Sequence, residues 1–379
     1  MSSLKEKAAK VYAKYVVWKT TKWAAHPHKT QQKVFKKLLA KGKKTRFGKE
    51  HSFEKIVNHE DFSKLVPVRD YEGLKKYIKL ITVGEKDVLW PGKPIYFAKT
   101  SGTTSGEKLI PITKESMPYH VKGSVEATMH YINETSNTSF LNKKIIFLQG
   151  SPLLGEIKGV KTGRLSGIVA HYTPSFLRQN TMPSWKTNCI EDWEQKVLEI
   201  SKETLKEDMA AIGGIPPWVI MYFEKLLEIT GKKTIKQIFP NFSLFVYGGV
   251  NYSPYKESFR QLIGEEIDSI EYYPASEGFF AYQDSQEEEG LLLQLNSGIF
   301  YEFIEIEEMK KNYPKRLTIN QVEKETNYIL VVSTNAGLWG YNTGDTIEFT
   351  SLIPARVKIT GRYKHFISAF GEHVIGSEV

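Results

Sequence analysis

Residues 100–108 read Thr-Ser-Gly-Thr-Thr-Ser-Gly-Glu-Lys, a stretch with five hydroxyl side chains, two glycines and a lysine. It follows a short β-rich run, Pro94–Thr100, and precedes Pro111, Thr113 and a long helical pattern. Glycine permits tight turns and close approach of a ligand to the backbone. Free N–H groups and hydroxyls in such a turn bind phosphate oxygens. The predicted chemistry is therefore phosphate binding by Ser101, Gly102, Thr103, Thr104, Ser105, Gly106 and Lys108. A Walker A loop needs four residues between its glycines and a lysine directly after the second. Here three residues separate Gly102 from Gly106, and Glu107 intervenes.

Three further clusters carry candidate chemistry. In Tyr272-Tyr273-Pro274-Ala275-Ser276-Glu277-Gly278, an aromatic such as Tyr273 beside the small Ala275 and Ser276 suits a purine, and Glu277 suits Mg²⁺ shared with phosphate oxygens. In Tyr341-Asn342-Thr343-Gly344-Asp345, an aspartate held after a glycine turn can accept two ribose hydroxyls. In Gly361-Arg362-Tyr363-Lys364, the guanidinium of Arg362 can reach phosphate or ribose. Taken singly, the second and third clusters read equally well as ordinary turns. Neither G-x-S-x-G nor H-E-x-x-H occurs among the sequence's serines and nine histidines, which argues against a nucleophilic hydrolase or a zinc peptidase.

The elements that must position these groups alternate in kind. Lys144–Gly150 and Leu244–Tyr247 read as strands, the latter leading into Gly248-Gly249, and Ser269–Glu271 as another. Met117–Thr135, Cys189–Ala211, Pro217–Thr230 and Tyr255–Ile263 read as helices. Such alternation predicts an α/β fold with a mostly parallel sheet covered by helices. From about residue 290 the texture changes. Leu291–Leu295 and Ile299–Ile306 around Asn-Ser-Gly read as a hairpin, followed by strands at Tyr328–Ser333 and Thr346–Thr350, which predicts a smaller antiparallel unit.

Charge is placed unevenly along the 379 residues. Residues 1–50 hold fifteen Lys/Arg against Glu6 and Glu50, a net +13, so the remaining 329 residues carry −4 of the chain's +9. The basic character thus belongs to two amphipathic helices, 4–24 and 30–42, broken at His26-Pro27, which weakens nucleic-acid binding as the main activity. A membrane-surface or acidic-partner patch is the alternative use for them. No apolar run approaches the ~18 residues of a membrane span, and no secretory h-region is present. The single Cys189 excludes an internal disulfide and fits a cytoplasmic setting.

The order and spacing of the four clusters resemble the adenylate-forming superfamily, which includes acyl-CoA synthetases and luciferases. Within it, the chain resembles the auxin-responsive acyl acid–amido synthetase family. Supporting stretches are Gly214-Ile215-Pro216-Pro217-Trp218, Tyr247-Gly248-Gly249-Val250 and Phe370-Gly371-Glu372, and the likeness covers roughly residues 30–379. It implies an α/β fold: a large N-terminal adenylation domain at 1–363, with a basic helical segment at 1–50 and a β-barrel-like subdomain at about 290–360. Residues 364–379 would form the hinge, at Lys364, and the start of a mobile C-terminal domain, the rest of which is expected to be missing from this sequence or from the protein. In many relatives an arginine stands where this chain has Asn342, and a serine where it has Thr100.

The resemblance implies an ATP-dependent ligase with Mg²⁺ as cofactor. A carboxylic acid would be converted to acyl-AMP with release of pyrophosphate, and the acyl group passed to an amino acid amine. An acyl-CoA ligase and a non-catalytic nucleotide-binding protein are the alternatives. Lys108, Glu277 and Thr103 are the expected catalytic residues. Nucleotide contacts are expected from the loop and from Gly248, Gly249, Tyr273, Ala275, Ser276, Asp345 and Arg362, and Mg²⁺ at Glu277. The acyl group is expected near Tyr119, His120, Gly123, Tyr172, Arg178 and Val250. The expected partners are small molecules, with neither nucleic acid nor stable membrane insertion.

Overall fold

The computed structural model describes residues 4–100, 107–172 and 180–363. The loop residues Ser101–Gly106, together with Arg178 and Lys364, lie outside the described residues.

Helices form along the apolar periodicity, and Thr45, Asn58, Asp70, Ser184 and Asp192 cap five of those described. They are α1 (Leu4–Ala24), α2 (Pro27–Gly42), α3 (Arg46–Glu50), α4 (His59–Leu65), α5 (Tyr71–Thr82), α6 (Met117–Thr135), α7 (Leu165–Ala170), α8 (Trp185–Asn188), α9 (Trp193–Thr204), α10 (Pro216–Thr230) and α11 (Lys256–Ile263). Asn58 and Asp61 close a capping box on α4, and Asp70 caps α5 by accepting from the Gly73 amide. Pro27 does not merely break the chain; it is the first residue of α2, where its missing N–H costs nothing. Gly231 and Gly264, at φ +65° and +92°, end α10 and α11 in the left-handed conformation that glycine tolerates. No described helix is long and apolar enough to cross a membrane.

The strands are β1 (Tyr96–Thr100), β2 (Lys108–Ile112), β3 (Lys144–Phe147), β4 (Gly155–Ile157), β5 (Val160–Gly163), β6 (Thr181–Met182), β7 (Met209–Gly213), β8 (Leu244–Gly248), β9 (Asp268–Ala275), β10 (Gly278–Tyr282), β11 (Leu291–Leu293), β12 (Ile299–Glu305), β13 (Asn327–Thr334), β14 (Tyr341–Leu352) and β15 (Ala355–Arg362). A large sheet runs β12-β13-β14-β15-β11-β10-β9-β8-β7-β3-β6, and a small one β2-β1-β5-β4. Pairs from β9 through β8, β7 and β3 to β6 are parallel, and the rest of the large sheet is antiparallel. The architecture is thus the expected α/β one, with a mixed sheet.

Three expectations change. The β-rich unit after residue 290 closes no barrel among the described residues; β12–β15 instead continue the large sheet. Leu291–Leu295 and Ile299–Ile306 form no hairpin, because β11 pairs with β10 and β15 while β12 pairs with β13. The helix expected over Cys189–Ala211 is shorter, starting after the Asp192 cap and ending at Thr204, and Met209–Gly213 is strand β7. Ala210 and Ala211 favour helix in isolation, but an all-buried run between two parallel neighbours is a strand environment.

The main core packs α2, α4, α5 and α6 on the sheets, and a second cluster fills the space between α9, α10, α11 and β7–β8. A buried ion group ties α4 to the antiparallel end of the large sheet. Fully buried Glu302 accepts from Arg316 and pairs with His59 Nε2 at 2.6 Å. Burial alone pushes the Glu302 carboxyl up, but Arg316 and His59 outweigh it and hold the group below its usual range.

Candidate active site

Strands β3, β7, β8 and β9 run parallel, so their carboxyl ends lie along one edge of the sheet. That edge is where ligands bind in open α/β sheets. Gly248 ends β8 and Gly249 follows it, and Ala275 ends β9 with Ser276 and Glu277 after it. At Gly248 a Cβ would sit 2.4 Å from the Tyr272 carbonyl oxygen, so glycine is what lets β8 and β9 stay this close. Gly249 turns the chain at φ +84°, and Val250 follows it half-buried.

The second, third and fourth sequence clusters meet at Asp345. Its Oδ2 accepts a 2.7 Å hydrogen bond from the Tyr273 hydroxyl, and its Oδ1 pairs with Arg362 Nε at 3.0 Å. The β14–β15 register places Asp345 directly opposite Arg362. The turn before it is built by side chains. Asn342 Oδ1 accepts from the Gly344 amide at 2.8 Å, Thr343 Oγ1 accepts from the Asp345 amide at 3.1 Å, and the Thr343 carbonyl accepts from Arg362 at 3.1 Å. Asn342 therefore shapes the turn that aims Asp345. Tyr273 is 4% exposed and its ring packs edge-on against Phe280, so it holds Asp345 rather than presenting an open face.

Glu277 lies in the β9–β10 turn, where the Tyr341 hydroxyl and the charges of Asp345 and Arg362 act on it. Burial raises its carboxyl above the usual range, and the neighbouring Asp345 charge adds to this. Burial raises Asp345 as well, against the opposing pull of Arg362. Two desolvated carboxylates sharing one guanidinium are short of positive charge. This is the environment that a divalent cation relieves, and Mg²⁺ sites commonly use one or two carboxylates plus substrate phosphates. Among the described residues no three His, Cys, Asp or Glu side chains gather as a protein-only metal group. The donor set thus fits Mg²⁺ held jointly with a nucleotide.

Residues that the sequence clusters did not single out join the strands on either side of residues 101–106 to this centre. Lys108 opens β2, in register with Thr100 at the end of β1, so the two strands present the ends of the loop together. Lys108 Nζ lies 5.8 Å from the centre of the Tyr71 ring, and the Tyr71 hydroxyl accepts from the Leu109 amide at 3.0 Å. The same short segment pairs with the third cluster: Arg69 N donates to the Gly340 carbonyl at 3.0 Å and Asn342 N donates to the Arg69 carbonyl at 2.8 Å. Tyr341 feels the charge of Asp70 as well as that of Glu277. None of the four sequence clusters includes Asp70 or Tyr71.

Among the described residues, the expected acyl contacts lie on different elements: Tyr119, His120 and Gly123 on α6, Tyr172 after α7 and Val250 after β8. His120 is buried, and burial lowers its imidazole to about 4. Gly123 is where α6 packs against β10; a Cβ there would lie 2.3 Å from Phe279 Cδ1. Tyr119 is half-buried one residue before His120, and Tyr172 hydrogen-bonds Tyr96 between hydroxyls at 3.2 Å. A separate cavity of about 520 Å³ opens beyond the end of β3, lined by Gln149, His171, Ser184, Trp185 and Asn188 among others. Its volume is within the range of small-molecule sites.

Comparison with known proteins follows the same lines. The GH3 family N-terminal domain matches residues 19–190, and the GH3 family central domain matches residues 292–362. The chain is 33% identical over 94 residues to indole-3-acetic acid-amido synthetase GH3.2 of Arabidopsis thaliana, which is 24% of this chain and 17% of that protein. Indole-3-acetic acid-amido synthetase GH3.4 of the same plant gives 33% over 94 residues, 24% of this chain and 16% of the relative. These matches therefore span less than a fifth of the relatives' length. The fold is similar to that of the acyl acid amido synthetase AtGH3.15 in complex with 2,4-DB, at a TM-score of 0.76 and 17% identity, covering 93% of this chain and 71% of that one. A 2-hydroxyisobutyryl-CoA ligase in complex with 2-HIB-AMP and CoA gives 0.59 at 14% identity, over 89% and 69%.

Proposed function

The chain belongs to the GH3 family, and on that premise we propose that it is an ATP-dependent acyl acid–amido synthetase. The observation that carries this reading is the convergence of Tyr273, Glu277, Asp345 and Arg362 on one turn, with the hydrogen bonds at 2.7 and 3.0 Å. In the first half-reaction a carboxylate oxygen attacks the α-phosphorus of ATP; the P–O bond to pyrophosphate breaks and acyl-AMP forms. In the second, an amino acid amine attacks the acyl carbon, AMP leaves, and the amine proton passes to solvent.

The attacking carboxylate is already ionised, so the first step needs positioning and charge neutralisation rather than a base. Orientation alone can contribute ~7–11 kcal/mol. Asp345 would hold the ribose hydroxyls through lone pairs left free by Tyr273 and Arg362. Gly248, Gly249, Ala275 and Ser276 would form the floor under the nucleotide. Ser101–Gly106 would wrap the phosphates with Thr103 donating to them, and Lys108, at the root of the loop, would oppose their charge. Glu277 would hold Mg²⁺, which when bound offsets the charge of the phosphates. We assign Lys364 to the hinge and residues 1–363 to one adenylation domain. Tyr119, His120, Gly123, Tyr172, Arg178 and Val250 remain the assigned acyl contacts. The lone Cys189 supports a cytoplasmic setting.

The test is pyrophosphate release by the full-length protein over a panel of carboxylic acids crossed with amino acids. Release that requires one acid, followed by AMP and amide formation on adding an amino acid, is the expected result. Tight ATP binding with no acyl-adenylate from any acid would leave a non-catalytic nucleotide binder. A thioester formed only with CoA would make the protein an acyl-CoA ligase.

A further inference from the structure

Helix α1 has two apolar faces. Ala13, Val16, Thr20 and Trp23 are buried, and the helix packs on α6 and on the turn at Ser139–Asn142. Leu4, Val11, Tyr15 and Trp18 lie roughly 150° away around the helix at 3.6 residues per turn. These four face solvent, with Val11 71%, Tyr15 51% and Trp18 55% exposed. They form an ordered stripe. The rings of Tyr12 and Tyr15 lie 6.3 Å apart, those of Tyr15 and Trp18 6.0 Å, and the Lys22 ammonium sits 3.4 Å from the Trp18 ring centre. Exposed Lys7, Lys14 and Lys19 flank the stripe and make no ion pair among the described residues. Among the described residues, Val11, Tyr15 and Trp18 stay exposed on this face.

We propose that the outer face of α1 is a docking surface for an anionic membrane. The chemistry matches on both counts. Tyr and Trp prefer the depth of the lipid headgroups, and a helix with aromatic and aliphatic residues between lysines lies in that interface rather than crossing it. The first fifty residues carry net +13 on a body of −4, and α1 itself carries six lysines against Glu6. Juxtaposed lysines are drawn to the negative potential of phosphatidylserine-rich leaflets. A second copy of the chain is a poorer occupant. Symmetric pairing of α1 would set Lys5, Lys7, Lys10, Lys14, Lys19 and Lys22, offset only by Glu6, against an identical set. Because α1 is docked on α6 in advance, the surface is preformed. A synthetase held there would act on apolar acids where they partition, at the bilayer surface.

Co-sedimentation of the full chain with vesicles tests it, using phosphatidylcholine alone and phosphatidylcholine with 30% phosphatidylserine. Binding to the second but not the first, at least about tenfold weaker in 0.5 M salt, is expected. The triple variant Val11→Ser/Tyr15→Ser/Trp18→Ser and the charge variant Lys7→Glu/Lys14→Glu/Lys19→Glu should each lower partition at least about tenfold. Tyr313→Ser, at a 93% exposed tyrosine away from the stripe, should not. Thermal unfolding verifies that each variant is folded, and brominated lipid should quench wild-type but not Trp18→Ser fluorescence in proportion. Equal binding to both vesicle types, or none, overturns the proposal. So does unchanged phosphatidylserine binding in the folded serine variant, which would leave only a charge effect. A wild-type dimer in sedimentation equilibrium that the serine variant converts to monomer also overturns it, and assigns the face to a second copy.

Discussion

Removing the Asp345 carboxylate by Asp345→Ala should weaken ATP binding while leaving the fold intact. An ionised carboxylate offers about four lone-pair positions. In the ligand-free protein two are taken, by the Tyr273 hydroxyl at 2.7 Å and Arg362 Nε at 3.0 Å. The remaining two are free for a ribose diol. Hydrogen bonds to a charged acceptor are worth ~1.5–3 kcal/mol each, and the flanking Arg362, 59% exposed, lets water compete for the site. A loss of ~2–3 kcal/mol is therefore expected for the pair, a rise in Kd of about 30- to 150-fold. Stability should move the other way. Burial raises the Asp345 pKa, so the ionised form costs the folded protein free energy above that pKa, and alanine removes the cost at neutral pH. Isothermal titration with ATP and Mg²⁺, beside thermal unfolding of the apo protein, reads both effects. An ATP Kd within threefold of wild type in a folded Asp345→Ala protein would refute the assignment. A weakened Kd accompanied by a lowered unfolding temperature would reduce Asp345 to a structural role.

Glu277→Gln should abolish the Mg²⁺ dependence of pyrophosphate release. In wild type the acid limb of that activity should lie above the usual carboxylate range, because burial delays ionisation of Glu277 as pH rises; a pH profile with and without the substitution checks this. Arg316→Met strands the fully buried Glu302 with His59 alone and should cost ~3–5 kcal/mol in urea unfolding, whereas pairing it with Glu302→Met should recover most of the loss. Burial holds His120 at about 4, so it stays neutral in the fold at pH values where the unfolded chain already binds a proton. Stability should therefore fall by up to ~3 kcal/mol as pH drops from 6.5 towards 4, and His120→Gln should flatten that window.

The residue types proposed for nucleotide binding are legible because they sit in local patterns. Five hydroxyls around two glycines, a Ser-Glu after a strand and a Gly-Asp turn each state their capacity within a few residues. Strands β3, β8 and β9 of the parallel half were legible too, since helix and strand periodicities alternate there, whereas β7 read as the end of a helix. What the local pattern could not state was pairing. Asn-Ser-Gly at 296–298 looks like a hairpin turn, yet the strands on either side pair with others, because the antiparallel strands extend a sheet begun elsewhere. Nor does the sequence show that Tyr273 spends its hydroxyl on Asp345, that Arg69–Tyr71 joins Lys108 to the Asp345 turn, or that His120 is sealed from solvent. Those facts depend on contacts between residues tens to hundreds of positions apart. The amino-acid sequence by itself determined which groups could bind phosphate, ribose and metal. Only the tertiary structure decided which of them meet, because hydrogen-bond distance and burial are set by how the sheet edge, the β9–β10 turn and the β14–β15 register close on one another.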